Sequence, residues 1–361
     1  MVRSRRRLRT YILALVASAG VIVVSCFALN CLVDPLWYLQ GNRITGINYA
    51  FNERLAKLIR LLPRLNDYDC IIFGTSRATL LPEDQAEGHR CYNLAFSDGQ
   101  ASEYLPYARY LRQRGFAPSL LIVEIRRSEL IGPELPAEIP DFVRSGQPPP
   151  SILTSYLTLD ALEFSIRTLR EDGPHHRFYD KGFQAELEVR SKKRWYRPPA
   201  AIEPAPPPYD FHPERAARYR ELRQLFPAAR AIGFVPAESA WRMAAFSATA
   251  AFDPYLAVIT EIAASYDGFL DFSAPSGLTL SKAPTDTYDG MHYSRAVNGR
   301  VLADLLANRS TIALDWRGEG STATASLLRR RLAQFVATTT LADPGAKSGK
   351  ASRQQEESEP D

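Results

Sequence analysis

Hydrophobic residues fall along the chain in three kinds of run. One is long and unbroken: residues 11–33 hold no charged side chain and are rich in Leu, Val, Ile and Ala. About 20 apolar residues cross a bilayer core as a helix, so this run is long enough to span. A second kind is short and continuous, at residues 68–73, 91–96, 120–125, 231–235 and 269–272. Runs of that length suit strands buried on both faces, as in parallel sheets. The third kind repeats at helical spacing. It places Leu55, Leu58, Ile59 and Leu62 on one face of residues 51–65, and Tyr104, Leu105, Ala108 and Leu111 on one face of residues 101–114. Residues 254–266 carry Leu256, Ile259, Ile262 and Ala263, and residues 296–306 carry Val297, Val301, Leu302 and Leu305, in the same way. Strands alternating with helices predict an α/β domain around a parallel sheet of about five strands. Active residues are then expected at the carboxyl ends of the strands.

This pattern divides the chain. Residues 1–10 are basic, 11–33 form the spanning run, and 34–66 are a linker and helix. Residues 67–310 form the α/β domain, 311–341 a helical extension, and 342–361 a polar tail expected to be disordered. Within the domain, residues 131–229 interrupt the alternation. They are rich in proline, at Pro148–Pro150, Pro198–Pro199 and around residues 204–208, with one helix predicted over 151–170. Long insertions of this kind serve as lids or binding loops, or are surface excursions. Either reading fits, and a cap over the substrate site is the one adopted.

The formal charge of +4 comes from the N-terminus. Arg3, Arg5, Arg6, Arg7 and Arg9 precede the spanning run, and the remainder carries −1. A near-neutral domain offers no basic face for nucleic acid. The arginines instead set orientation: their end stays cytoplasmic and the bulk of the chain is exported. A retained signal anchor is therefore expected, with Trp37 and Tyr38 at interfacial depth. Cleavage after Ala17-Ser18-Ala19 and lipidation at Cys26 are the competing readings. Cys70 and Cys91 each open a predicted strand, and the two strands should be neighbours. Export permits a disulfide between them, but adjacent parallel strands rarely supply its geometry, which weighs against a bridge. No cysteine or histidine spacing suggests a metal site, and no glycine-rich loop suggests a nucleotide cofactor.

Two segments could carry chemistry. Gly74-Thr75-Ser76-Arg77 follows the first strand, where glycine permits a sharp turn that presents Ser76 at the sheet edge. A helix cap is the plainer alternative for Ser76. Asp289-Gly290-Met291-His292 precedes the last helix of the domain, and of the five histidines only His292 sits beside a carboxylate there. A serine nucleophile needs a base, and the base an orienting carboxylate. Asp289 and His292 could supply both from one turn.

Ser76 after strand one and Asp289-x-x-His292 before the last helix together resemble the SGNH/GDSL superfamily of acyl-ester hydrolases and acyltransferases. The resemblance covers roughly residues 68–306, less the insertion. It implies a flavodoxin-like three-layer α/β/α fold, with Ser76, His292 and Asp289 as nucleophile, base and orienting acid. The N-terminal anchor and the Asp34-Pro35-aromatic start look like the membrane-bound bacterial branch. Some members there move acyl groups onto cell-surface polymers. The implied substrate is thus an acyl ester on an envelope carbohydrate or lipid, with the domain outside the cytoplasmic membrane and an envelope protein as a possible partner. The family places a glycine after strand two and an asparagine after strand three as oxyanion donors. Here Asp98 or Gly99 falls near the first position. At the second the chain reads Glu124-Ile125-Arg126-Arg127-Ser128, so Ser128, Arg126 or Arg127 would have to substitute. Arg77 either binds an anionic substrate group or makes an ion pair at the sheet edge. The departure at the asparagine leaves a second reading open: a catalytically inactive binding or assembly module of the same fold.

Overall fold

The structure, a computed structural model, describes residues 2–173, 177–187, 196–203, 210–281, 286–317 and 320–339. Nine strands form two sheets. They are Asn48–Tyr49 (β1), Cys70–Phe73 (β2), Cys91–Asn93 (β3), Leu120–Glu124 (β4), Arg177–Tyr179 (β5), Ala185–Leu187 (β6), Arg230–Val235 (β7), Gly268–Asp271 (β8) and Leu314–Asp315 (β9). The larger sheet has the order β3-β2-β4-β7-β8-β9. Its first five members are parallel, and β9 closes the edge antiparallel to β8. The five parallel strands are those expected from the apolar runs. β9, two residues long, and the small antiparallel sheet β1-β5-β6 were not foreseen.

Alternate residues of each strand feed opposite faces. Ile71, Phe73, Leu121 and Val123 join one apolar cluster with the helices Glu53–Leu61, Ala101–Gln113, Phe252–Ala264 and Ser321–Thr338. Ile72, Ile122, Ile232 and Phe234 join another under the helix Arg295–Ala307. Helices therefore cover both faces, which is why the strands read as unbroken apolar runs rather than alternating ones.

Cys70 and Cys91 are joined by a disulfide. The expectation against it fails for a local reason. They are paired directly across β2 and β3 as the first residues of both strands, with Cα atoms 4.2 Å apart.

The N-terminal helix runs Val2–Val33, and its stretch Arg7–Val33 is long and apolar enough to cross a membrane. Residues 7–25 are exposed throughout, whereas Asn30 and Val33 are buried in the domain. The last two turns therefore lean one side on the domain, while Ala28 and Leu32 stay exposed. Trp37 also departs from expectation: it is buried, edge-on to Phe183 and under the Arg60 guanidinium. The helix foreseen over 151–170 is two helices, Ile152–Tyr156 and Leu159–Leu169, with Thr158 accepting from the Ala161 N–H to start the second. The tail at 342–361 lies outside the described residues.

Candidate active site

The strand order reverses direction between β2 and β4, since β3 lies outward of β2 on one side and β7 outward of β4 on the other. Loops diverge there and leave a crevice at the carboxyl ends. Ser76 stands at the end of β2 in that crevice, and Glu124 ends β4 beside it. The Glu124 side chain is fully buried. It accepts from the Thr75 N–H at 2.8 Å, the Thr75 hydroxyl at 2.8 Å and the Ala78 N–H at 3.2 Å. It also pairs with the Arg77 guanidinium at 2.9 Å. One carboxylate thus gathers the turn that carries Ser76. Gly74 is required by this closeness, because a Cβ there would stand 2.8 Å from Glu124 Oε2 and 2.4 Å from the Ala78 Cβ.

The second segment forms a tight loop before the helix Arg295–Ala307. Thr287 and Tyr293 bridge across it, and the Tyr288 N–H and Thr287 hydroxyl both donate to the His292 carbonyl at 3.0 Å. Gly290 sits at its tip with φ of 82°, a left-handed conformation that L side chains rarely adopt. The loop is pinned from outside by the Ser239 N–H, which donates to the Gly290 carbonyl at 2.7 Å.

These two segments meet. Ser76 Oγ lies 2.8 Å from His292 Nε2, and His292 Nδ1 lies 2.7 Å from Asp289 Oδ2. The other Asp289 oxygen accepts the Met291 and His292 N–H groups at 2.8 and 2.7 Å. Partial burial pushes the Asp289 carboxyl upward. The His292 hydrogen bond and charge, with the two N–H groups, outweigh that and hold it at about 2. A permanently ionised Asp289 fixes His292 with Nδ1 as donor, which leaves Nε2 free to accept from Ser76.

The chain opens into a cleft of about 780 Å³, lined by Ser76, Arg77, Asp98, Arg126, Ser128, Tyr196, Trp241 and His292 among others. Arg77 reaches the cleft, but its guanidinium is committed to Glu124. The Gly99 N–H donates to the Phe96 carbonyl at 3.0 Å within a turn, so Gly99 does not offer that donor to the cleft. Asp98 and Ser128 line the cleft and both hold Arg126, by an ion pair at 3.4 Å and a hydrogen bond to Nε respectively. The Ser76 N–H has no acceptor among the described residues.

Residues that sequence reasoning missed are Glu124, Arg177 and the far wall. Arg177, buried on β5, donates to the Ser97 hydroxyl and reaches the Ser76 carbonyl at 3.5 Å. Tyr196, Arg197 and Pro199 of the insertion line the cleft together with Trp241 and Arg242. The Tyr196 hydroxyl is 2.6 Å from Ser239 Oγ, which ties the insertion to the loop that holds His292. The pinning of Ser239 and Tyr196 has no short-range signal. Glu124 had one: a charged residue closing an otherwise apolar buried strand. Among the described residues, no group of three or more His, Cys, Asp or Glu side chains is arranged to hold a metal ion. No protein-family model matches the chain, and no curated protein matches it.

Proposed function

We propose that the protein is a serine-dependent acyl-ester hydrolase or O-acyltransferase, of the SGNH type, acting on a cell-envelope carbohydrate or lipid. The observation that carries the proposal is the unbroken hydrogen-bond chain Ser76–His292–Asp289 at the edge of an open cleft. The order of the parallel strands, second-first-third-fourth-fifth in chain sequence, is that of flavodoxin-like folds and supports the same reading.

In this mechanism Ser76 Oγ attacks the ester carbonyl carbon while His292 Nε2 takes the hydroxyl proton. Asp289, ionised, stabilises the imidazolium that forms. The tetrahedral oxyanion is received by the free Ser76 N–H and by Arg126, which takes the place of the family's asparagine. Collapse breaks the ester C–O bond, and His292 returns the proton to the departing alkoxide. Water, or a sugar hydroxyl, then attacks the acyl-Ser76, again giving its proton to His292, and Ser76 is regenerated. Arg197 and Arg242 line the cleft with no ion pair to a carboxylate among the described residues, which favours substrates that carry negative charge near the ester. The spanning helix, with its arginines on the cytoplasmic side, would hold the site outside the cytoplasmic membrane.

The test is turnover of p-nitrophenyl acyl esters by the detergent-solubilised full chain, with intact mass measured during the reaction. Release of p-nitrophenol with a transient acyl adduct on wild type, and neither with Ser76→Ala, is the expected result. Equal release by both proteins would refute the proposal.

A further inference from the structure

The helix Leu159–Leu169, in the middle of the insertion, has two unlike sides. Ala161, Ser165 and Thr168 are buried. Ser165 Oγ donates to Asn30 Oδ1 of the N-terminal helix at 2.7 Å, and Asn30 Nδ2 donates to the Tyr156 carbonyl at 2.9 Å. Phe27 and Cys31 of the N-terminal helix pack against the same cluster, beside Tyr156 and Ala161. The adjoining side carries Leu159, Leu162, Ile166 and Leu169, spaced three, four and three apart, which puts them in one stripe. That stripe is only partly covered: Leu159 is 82% exposed, Ile166 and Leu169 are each 37% exposed, and Leu162 is half-buried. Asp160, Glu163, Arg167 and Arg170 occupy the remaining side. Large apolar side chains left open along a helix need an apolar neighbour.

The position of the stripe says which neighbour. The charge-free, exposed residues 11–25 of the N-terminal helix run, at about 1.5 Å per residue, for about 22 Å. A hydrocarbon core is about 30 Å thick, so about five further residues, to near Asn30, complete a crossing. Asn30 bonds to Ser165 of Leu159–Leu169, and Phe27 and Cys31 pack against the same cluster, two to six residues beyond the exposed stretch. The stripe is therefore held near the outer boundary of the hydrocarbon, where the span leaves the bilayer. Leu153, 57% exposed, on the preceding helix and Leu157, 50% exposed, at its end are further open apolar side chains in this part of the insertion.

We infer that Leu159–Leu169 is an interfacial helix that lies in the outer surface of the bilayer, with its leucine stripe inserted among the lipid chains and its charged side in the headgroups. Short amphipathic helices bind membranes in this way. The domain is then tied to the membrane at two places, and its cleft keeps a fixed height and tilt rather than swinging on a tether. This inference does not depend on the catalytic reading.

The experiment uses the full chain in phosphatidylcholine–phosphatidylglycerol vesicles, with Cys26→Ala and Cys31→Ala removing the free thiols. An environment-sensitive NBD label is placed singly at Leu159→Cys, Ile166→Cys, Glu163→Cys and Val16→Cys. Labels at 159 and 166 are expected to emit to the blue of the label at 163. They should be quenched several-fold more strongly by doxyl lipids than by iodide, as at 16 within the span. Labels at 159 and 166 as open to iodide as that at 163, with 16 in lipid, would overturn the inference and leave the span intact. Protection from both quenchers would mean that protein covers the stripe, a second copy or a partner, and would equally overturn it.

Discussion

Replacing Glu124 by glutamine changes one atom in a fully buried side chain and should disable the turn that holds Ser76. In the native protein both carboxylate oxygens face donors only: the Thr75 N–H and Ala78 N–H on one, the Thr75 hydroxyl and Arg77 on the other. Glutamine must turn an NH₂ group toward one of these sets, losing at least one charge-assisted bond worth roughly 1.5–3 kcal/mol. It also leaves Arg77, 15% exposed, without its counter-ion. Removing one partner of a buried pair costs about 3–5 kcal/mol in general. Arg77 retains a path to solvent in the cleft, so the lower end applies, about 3 kcal/mol. Urea denaturation should show a lowered midpoint at unchanged slope. Labelling by a serine-reactive fluorophosphonate should slow at the same time, because Ser76 moves away from His292. Adding Arg77→Met to Glu124→Gln should restore part of the stability, since the stranded charge is gone, but not the labelling rate. A Glu124→Gln variant with the native midpoint would refute the idea that this carboxylate organises the turn.

Four further outcomes are expected. Gly290→Ala should cost about 1–2 kcal/mol from its left-handed backbone alone; its Cβ would also stand 2.9 Å from the Tyr196 ring, so ester turnover should fall with stability. Asp289 has a folded pKa of about 2, below its ordinary 3.8, so it stabilises the folded state above pH 4 and loses that contribution as pH falls toward 2; the difference in denaturation midpoint between wild type and Asp289→Asn should shrink over that window. Arg126→Ala should lower kcat by about 10²-fold, the usual effect of losing one oxyanion donor, read with p-nitrophenyl esters. Replacing both Cys70 and Cys91 by serine removes a cross-link across a 21-residue separation and should cost about 3 kcal/mol, measured by denaturation under non-reducing conditions.

The meeting of Ser76 with Asp289 and His292 was legible because each half is a short-range pattern. A glycine turn after a buried strand marks one, and an acid three residues before a histidine marks the other. The five parallel strands were legible because burial on both faces leaves apolar runs. What could not be read acts over long separations or through very short elements. Glu124 reaches Thr75 across 49 residues, and Arg177 reaches Ser76 across 101. β1, β5, β6 and β9 have two or three residues each, too few to show a period. The apolar run at 11–33 could not reveal its own division, since the exposed residues and those packed on the domain are equally apolar. Only Asn30, with its partners Tyr156 and Ser165, marks where the protein begins. Trp37 followed the rule for interfacial aromatics by position. It is buried because Asp34, accepting from the Leu39 and Gly41 N–H groups and from the Tyr156 hydroxyl, folds that segment back into the domain.

The central claim is that Ser76 is an activated nucleophile. It is tested most directly by labelling the full chain with a fluorophosphonate and mapping the adduct by peptide mass. One adduct is expected, on Ser76, absent in Ser76→Ala and strongly slowed in His292→Ala. A folded wild-type protein that takes no label, or takes it equally in Ser76→Ala, would contradict the account and leave the cleft as a binding site.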